Sequence, residues 1–208
     1  MRSIVILFLV CIAYSIIRYV AFAPQNVTNL PVMIVNKGVS MAAAFCFAIA
    51  FCQQWRRKRG KTSGNEPAVW FRAGVFGAIV HIPMSVVILE PAYFQEFFQE
   101  SVDGKPQRMS FAGEAVFLFG ALSIAGIYLL HRQGWNNLSR WKLSLATTGV
   151  LFGHVLTMGI CRGLNINKSH AYLPPMWLMS LIGITVGIWW LVLSKPGPET
   201  KSVDAEKN

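Results

Sequence analysis

Charged side chains are scarce in this chain. They make up 13% of its residues, where an ordinary soluble domain carries about 25%. Acidic groups are the scarcest, with nine Asp and Glu among 208 residues. That shortage excludes a conventional soluble enzyme. No Gly-x-Gly-x-x-Gly, no P-loop and no His-Glu-x-x-His occurs, so the chain has no Rossmann domain of its own for NAD(P)H and no zincin-type metal site. Its four cysteines, Cys11, Cys46, Cys52 and Cys161, form no C-x-x-C pair. A disulfide framework or a zinc site is not indicated, and packing as small apolar residues is the simpler account.

Apolar residues are what the sequence has in abundance, 54% of the total, and they come in long blocks. A block of about 20 apolar residues is long enough to cross a bilayer as a helix. Six such blocks are present, near Ile4–Ala23, Pro31–Gln53, Trp70–Pro91, Phe111–His131, Leu143–Cys161 and Pro174–Leu193. The expected fold class is all-α, a polytopic bundle of six transmembrane helices over residues 1–194, followed by a polar cytoplasmic tail over 195–208. No stretch is left over for a soluble catalytic domain. The first block resembles a signal peptide, because Ala21-Phe22-Ala23 looks like a cleavage site. Pro24 after the cut and Arg18 within the run point instead to a retained helix. No internal repeat supports an inverted-repeat transporter.

The formal net charge of +10 would suggest a nucleic-acid partner in a soluble protein. Here the basic residues cluster in alternate connectors, as the positive-inside rule requires, and nucleic-acid binding is not expected. Trp55-Arg56-Arg57-Lys58-Arg59-Gly60-Lys61 follows the second block, and Arg132, Arg140 and Lys142 follow the fourth. Both termini and these two connectors are therefore expected in the cytoplasm (N-in, C-in). Connectors 24–30, 92–110 and 162–173 are expected outside. If the source is bacterial, the membrane is the inner one. The double proline before the sixth block suits a helix start.

Ionisable groups inside spans are costly and rare, so each asks for a reason. His81 lies in the third block and His154 in the fifth, each about eight to ten residues before the outer end. At ~1.5 Å of rise per residue both sit roughly 12–15 Å deep. The two helices run in the same direction, so the depths compare directly. Two imidazoles at one depth can supply both axial ligands of one heme iron, an arrangement suited to electron transfer. The lesser alternative is that each histidine only hydrogen-bonds a neighbouring helix. Gly74, Gly77 and Ala78 precede His81, and Gly149 and Gly153 precede His154. Small residues there admit either a flat macrocycle or a neighbouring helix.

A second polar layer lies nearer the outside: Arg18, Lys37, Glu90 and Glu114. Lys37 and Glu114 can pair, and Arg18 or Lys37 can bind a heme propionate. Snorkelling to the interface is the alternative for both cations. His131, at the cytoplasmic edge of the fourth block, is either an interfacial residue or part of an electron-donor site. His170, with Arg162 and Lys168, marks an outer connector that is solvated or attracts an anionic metal chelate. Phe94, Phe97 and Phe98 lie on the membrane surface, cap the bundle or form a lid.

These motifs together resemble the ferric reductase-like transmembrane superfamily. They are Gly77-Ala78-Ile79-Val80-His81, Pro91-Ala92-Tyr93-Phe94, Ser110-Phe111-Ala112-Gly113-Glu114, Gly153-His154-Val155 and Tyr172-Leu173-Pro174-Pro175. The pattern is most similar to single-heme members such as the STEAP metalloreductases and the heme subunit of bacterial methionine sulfoxide reductase. The resemblance implies a six-helix bundle with one heme b near the outer leaflet, held by histidines of the third and fifth helices. Electrons would come from a cytoplasmic reductant: a flavoprotein partner, quinol, or a flavin (FAD) or quinone bound at the basic inner face. Two-heme members carry two histidines on each of these helices, whereas this chain has one on each. The expected function is thus a heme-binding, electron-carrying membrane protein, an oxidoreductase or the heme subunit of one. The competing expectation is a small non-redox transporter or an assembly or scaffold factor.

Overall fold

The computed structural model describes residues 1–22, 30–61, 66–91, 94–100, 107–131, 137–161 and 173–196. Its elements are α1 (Arg2–Ile16), continued by a π-turn (Ile17–Ala21), then α2 (Leu30–Lys58), α3 (Glu66–Val87), a 3-10 turn (Gln95–Phe97), α4 (Phe111–His131), α5 (Asn137–Cys161) and α6 (Met176–Leu193). All six α-helices are long and apolar enough to cross a membrane, α1 together with its π-turn. Their exteriors are apolar as well: Val5, Ile6, Leu9 and Val10 on α1, Phe76, Ile79 and Val86 on α3, and Phe117 and Leu118 on α4 are all exposed. Water would not tolerate a contiguous apolar surface of that extent. The bundle is compatible with an integral, multi-pass membrane protein.

Local sequence explains where the helices stop. Gly60 ends α2 at φ 68°, a conformation that costs glycine nothing. The Lys61 amide then bonds the Arg56 carbonyl and the Gly60 amide bonds the Arg57 carbonyl, both at 3.0 Å, a Schellman closure. Arg56, Arg57 and Lys58 occupy the last turn, where the helix dipole favours cations. The helical backbone therefore runs past the apolar block, which ends near Gln53. At the start of α4 the Ser110 hydroxyl accepts from the Gly113 amide at 3.2 Å, the usual N-cap geometry.

α2 is the central helix. Of its most apolar stretch 61% is buried, against 11% for α3. It packs along α3, α6 and α1, while α5 packs along α4 and α6. Two layers result, one of α1, α2 and α3 and one of α4 and α5, with α6 joining them. Glycines permit the closest approaches. A Cβ on Gly38 would meet the Ile12 backbone at 2.8 Å, and one on Gly126 would meet Thr147 Oγ1 at 2.3 Å. The basic end of the bundle holds Arg56–Lys61 and the end of α6. There Trp55 packs on Trp190 at 4.6 Å between centroids, and Trp141 Nε1 donates to the Leu191 carbonyl at 2.8 Å. Lys58 Nζ donates to the Ser194 carbonyl. At the opposite, distal end, residues 94–100 and 107–110 are joined by a bridge between Phe98 and Met109. Phe94 and Phe97 are 5% and 2% exposed and stack at 5.3 Å against Ile88 and Val116. Of the three sequence alternatives for this aromatic group, the structure forms the cap.

Candidate functional site

His81 lies six residues before α3 ends at Val87, and His154 seven before α5 ends at Cys161. The helix rise places both ~9–11 Å from the distal ends of their helices. Among the described residues, α3 and α5 are not packed along one another. The two histidines therefore belong to different layers of the bundle, His81 on α3 and His154 on α5.

Each imidazole is held by one nitrogen. His154 Nδ1 lies 2.8 Å from the Val116 carbonyl of α4. A carbonyl only accepts, so Nδ1 carries the proton and Nε2 keeps its lone pair. His81 Nδ1 lies 2.5 Å from Asn36 Oδ1 on α2. Asn36 is oriented by its own Nδ2, which donates to Ser85 Oγ at 3.2 Å. His81 is thus fixed in the same tautomer. Its Nε2 has only Ser85 Oγ nearby, at 3.3 Å, and that hydroxyl also lies 3.3 Å from Asn36 Oδ1. An imidazole that donates one N–H to a protein oxygen and leaves the other nitrogen bare is the usual form of a metal-binding histidine. The donor set therefore fits a bis-histidine iron site. Among the described residues no group of three or more His, Cys, Asp or Glu gathers.

The glycines take different roles from one another. A Cβ on Gly74 would meet Phe47 at 2.9 Å, and one on Gly77 would meet Ala43 at 3.0 Å. These two serve the packing of α3 on α2. Gly149 faces open space, and Gly153 meets Phe119 at an ordinary 3.7 Å. Gly120 on α4, which the sequence did not single out, has the closest relation to the site. A Cβ there would stand 3.3 Å from both Cε1 and Nδ1 of His154. Asn36 was also missed. Its signal was available, since a buried amide inside an apolar block requires a partner.

The second polar layer divides. Lys37 directs Nζ to the Phe94 ring, 5.1 Å from its centroid, beside the histidine pair. Glu114 in the first turn of α4 and Glu90 beyond the end of α3 are both exposed. Arg18 does not snorkel. It is 5% exposed, and Nη1 donates to the carbonyls of Leu173 and Pro174 at 2.5 and 3.0 Å. It stands at the α1–α6 junction. His131 is the last residue of α4, with its side chain outside the described set, and His170 lies outside the described residues altogether. A cavity opens toward the basic end between the layers, lined by Phe47, Phe51, Phe71, Ser123, Thr147 and Leu151 among others. It begins about one turn from His154 along α5.

No protein-family model matches this chain, and no curated protein matches it.

Proposed function

We propose that this protein binds one heme b between α3 and α5 and carries electrons from one side of the membrane to the other, as a transmembrane reductase or its heme subunit. One observation carries the reading: two imidazoles at similar heights on separate helices, each with Nδ1 held by a protein oxygen, with Nε2 of His154 open and Nε2 of His81 met only by the Ser85 hydroxyl at 3.3 Å. Heme b, when bound by two histidines, supplies a one-electron carrier with no open iron position for substrate. His81 and His154 would hold the iron. Asn36 and the Val116 carbonyl fix ring orientation and tautomer, and hydrogen bonds of this kind also raise ligand basicity. Lys37 places a positive charge near the pair, which favours the reduced, less positive state of whatever the pair binds. The resemblance to the ferric reductase-like superfamily, with its histidines on the third and fifth helices, supports the same reading.

The proposed orientation puts both termini and the Arg56–Lys61 cluster in the cytoplasm. The donor is then a cytoplasmic flavoprotein, a quinol, or a flavin or quinone seated at that face. The optical spectrum of the detergent-purified protein tests the proposal. A six-coordinate, low-spin Soret band that His81→Ala and His154→Ala each abolish or convert is the expected result. Preparations without heme that also fail to take up added hemin would leave the non-redox transporter or scaffold reading.

A further inference from the structure

The distal end of α1 carries a cation whose neighbouring helices hold no countercharge. α1, its π-turn, α2 and α6 contain no Asp or Glu, nor do connectors 22–29 and 162–175. Arg18 is nonetheless 5% exposed and cannot shed its proton. Its Nη1 is spent on the Leu173 and Pro174 carbonyls, which offer dipoles but no net charge. Pro174 is further engaged by the Tyr14 hydroxyl at 2.6 Å. Nε is buried without a partner, while the guanidinium stands 5.9 Å from the Tyr19 ring centroid. The unused donor, Nε, lies on the side edge of the guanidinium, an edge that suits a carboxylate or phosphate oxygen.

A second orphan lies beside it. Ser15 is fully buried, with 0% exposure, and its hydroxyl has no partner. Ser15 and Arg18 are three residues apart, on one face of the helix. Between them the backbone widens into the π-turn Ile17–Ala21, a local geometry found mostly at functional sites. A buried charge without a counterion is strongly unfavourable, and here a countercharge must come from beyond these elements. The adjoining Ile17, Val20 and Phe22 are exposed and apolar, a path for an acyl chain leading to that edge.

We propose that Arg18 and Ser15 form a receptor for one oxyanion at the distal end of the bundle, with the Arg18 Nε and the Ser15 hydroxyl, the two unpartnered donors, both donating to it. The ligand is the phosphate of a phospholipid in that leaflet or a carboxylate presented at the same level, such as that of the proposed cofactor. The site does not depend on the heme reading, because it stands on α1 and not on the histidine pair.

The test uses the full chain, delipidated in a non-ionic detergent and titrated with phosphatidylglycerol, with diacylglycerol of the same acyl chains as the phosphate-free control. Native mass spectrometry reads the binding. Wild type should take one phosphatidylglycerol at least tenfold more tightly than diacylglycerol. R18Q should lose that preference, R18K should lose most of it because a point charge lacks the fork, and S15A should weaken it several-fold. The same titration on the H81A/H154A chain distinguishes the sources. Binding that appears only without heme identifies the cofactor carboxylate as the resident anion, and equal binding identifies the lipid phosphate. Should R18Q fail to fold, R18K and S15A decide alone. Wild-type preference in every folded variant, with heme retention also unchanged, would overturn the proposal.

Discussion

Replacing Asn36 with leucine isolates the link between the histidine site and its support. Leucine has the branching and side-chain heavy-atom count of asparagine, so no cavity opens, and Asn36 is 1% exposed, so no water replaces the lost groups. Two interhelical hydrogen bonds disappear, the one from His81 Nδ1 at 2.5 Å and the one to Ser85 at 3.2 Å. Such bonds between membrane helices contribute about 0.6 kcal/mol each on average and at most about 1.7. The bundle should therefore lose about 1–3 kcal/mol, read as an earlier midpoint in denaturant unfolding in mixed micelles. The larger effect falls on the ligand. Removing the oxygen that orients a metal-binding histidine weakens binding about 10–100-fold. Hemin titration of the apo-protein, followed at the Soret band, measures that loss. Asn36→Asp keeps an acceptor facing Nδ1 and should recover most of the affinity, with a lower midpoint potential because the carboxylate adds negative charge beside the ligand. Asn36→Leu protein that loses stability but binds hemin like wild type would refute this reasoning and reduce Asn36 to a packing residue.

Three further outcomes are expected. Gly120→Leu should push the His154 ring off its Val116 bond, since even a Cβ stands 3.3 Å from that ring. The low-spin spectrum should then be lost while the fold survives by circular dichroism. Gly126→Ala should destabilise by about 1–3 kcal/mol through overpacking, because its Cβ would approach Thr147 Oγ1 to 2.3 Å, and Thr147→Ala in the same chain should restore most of the loss in thermal unfolding. Cysteines placed at exposed Arg59 and Gln99 should react with an impermeant maleimide from opposite sides of sealed vesicles, Gln99→Cys from outside; reaction of both from one side would break the proposed topology.

The helices were legible in the sequence because their physics is one-dimensional. Block length and hydropathy marked all six. Helix bounds were less so, since α2 and α5 carry polar turns beyond their apolar blocks, which a search for apolar runs passes over. The matched depths of His81 and His154 also came from counting along parallel helices. What counting could not give was sideways information. Which helix faces which decided that Gly74 and Gly77 serve α2, that Gly120 underlies His154, and that Asn36 points at His81. Arg18 shows the same limit. Its position near the end of an apolar run suggested either a propionate or snorkelling, while its turn onto the carbonyls before α6 depends on a contact between residues more than 150 positions apart.

Among the described helices, α6 alone packs along both layers, on α2 of one and α5 of the other. It works as the pin of the bundle. A Cβ on Gly183 would press on the Phe45 ring at 3.0 Å, and one on Gly187 would press on Ala48 at 3.3 Å. Bulk added on that face would tilt one layer against the other while leaving each layer's own helix pairs intact, and anything seated between the layers would register the tilt as lost clearance.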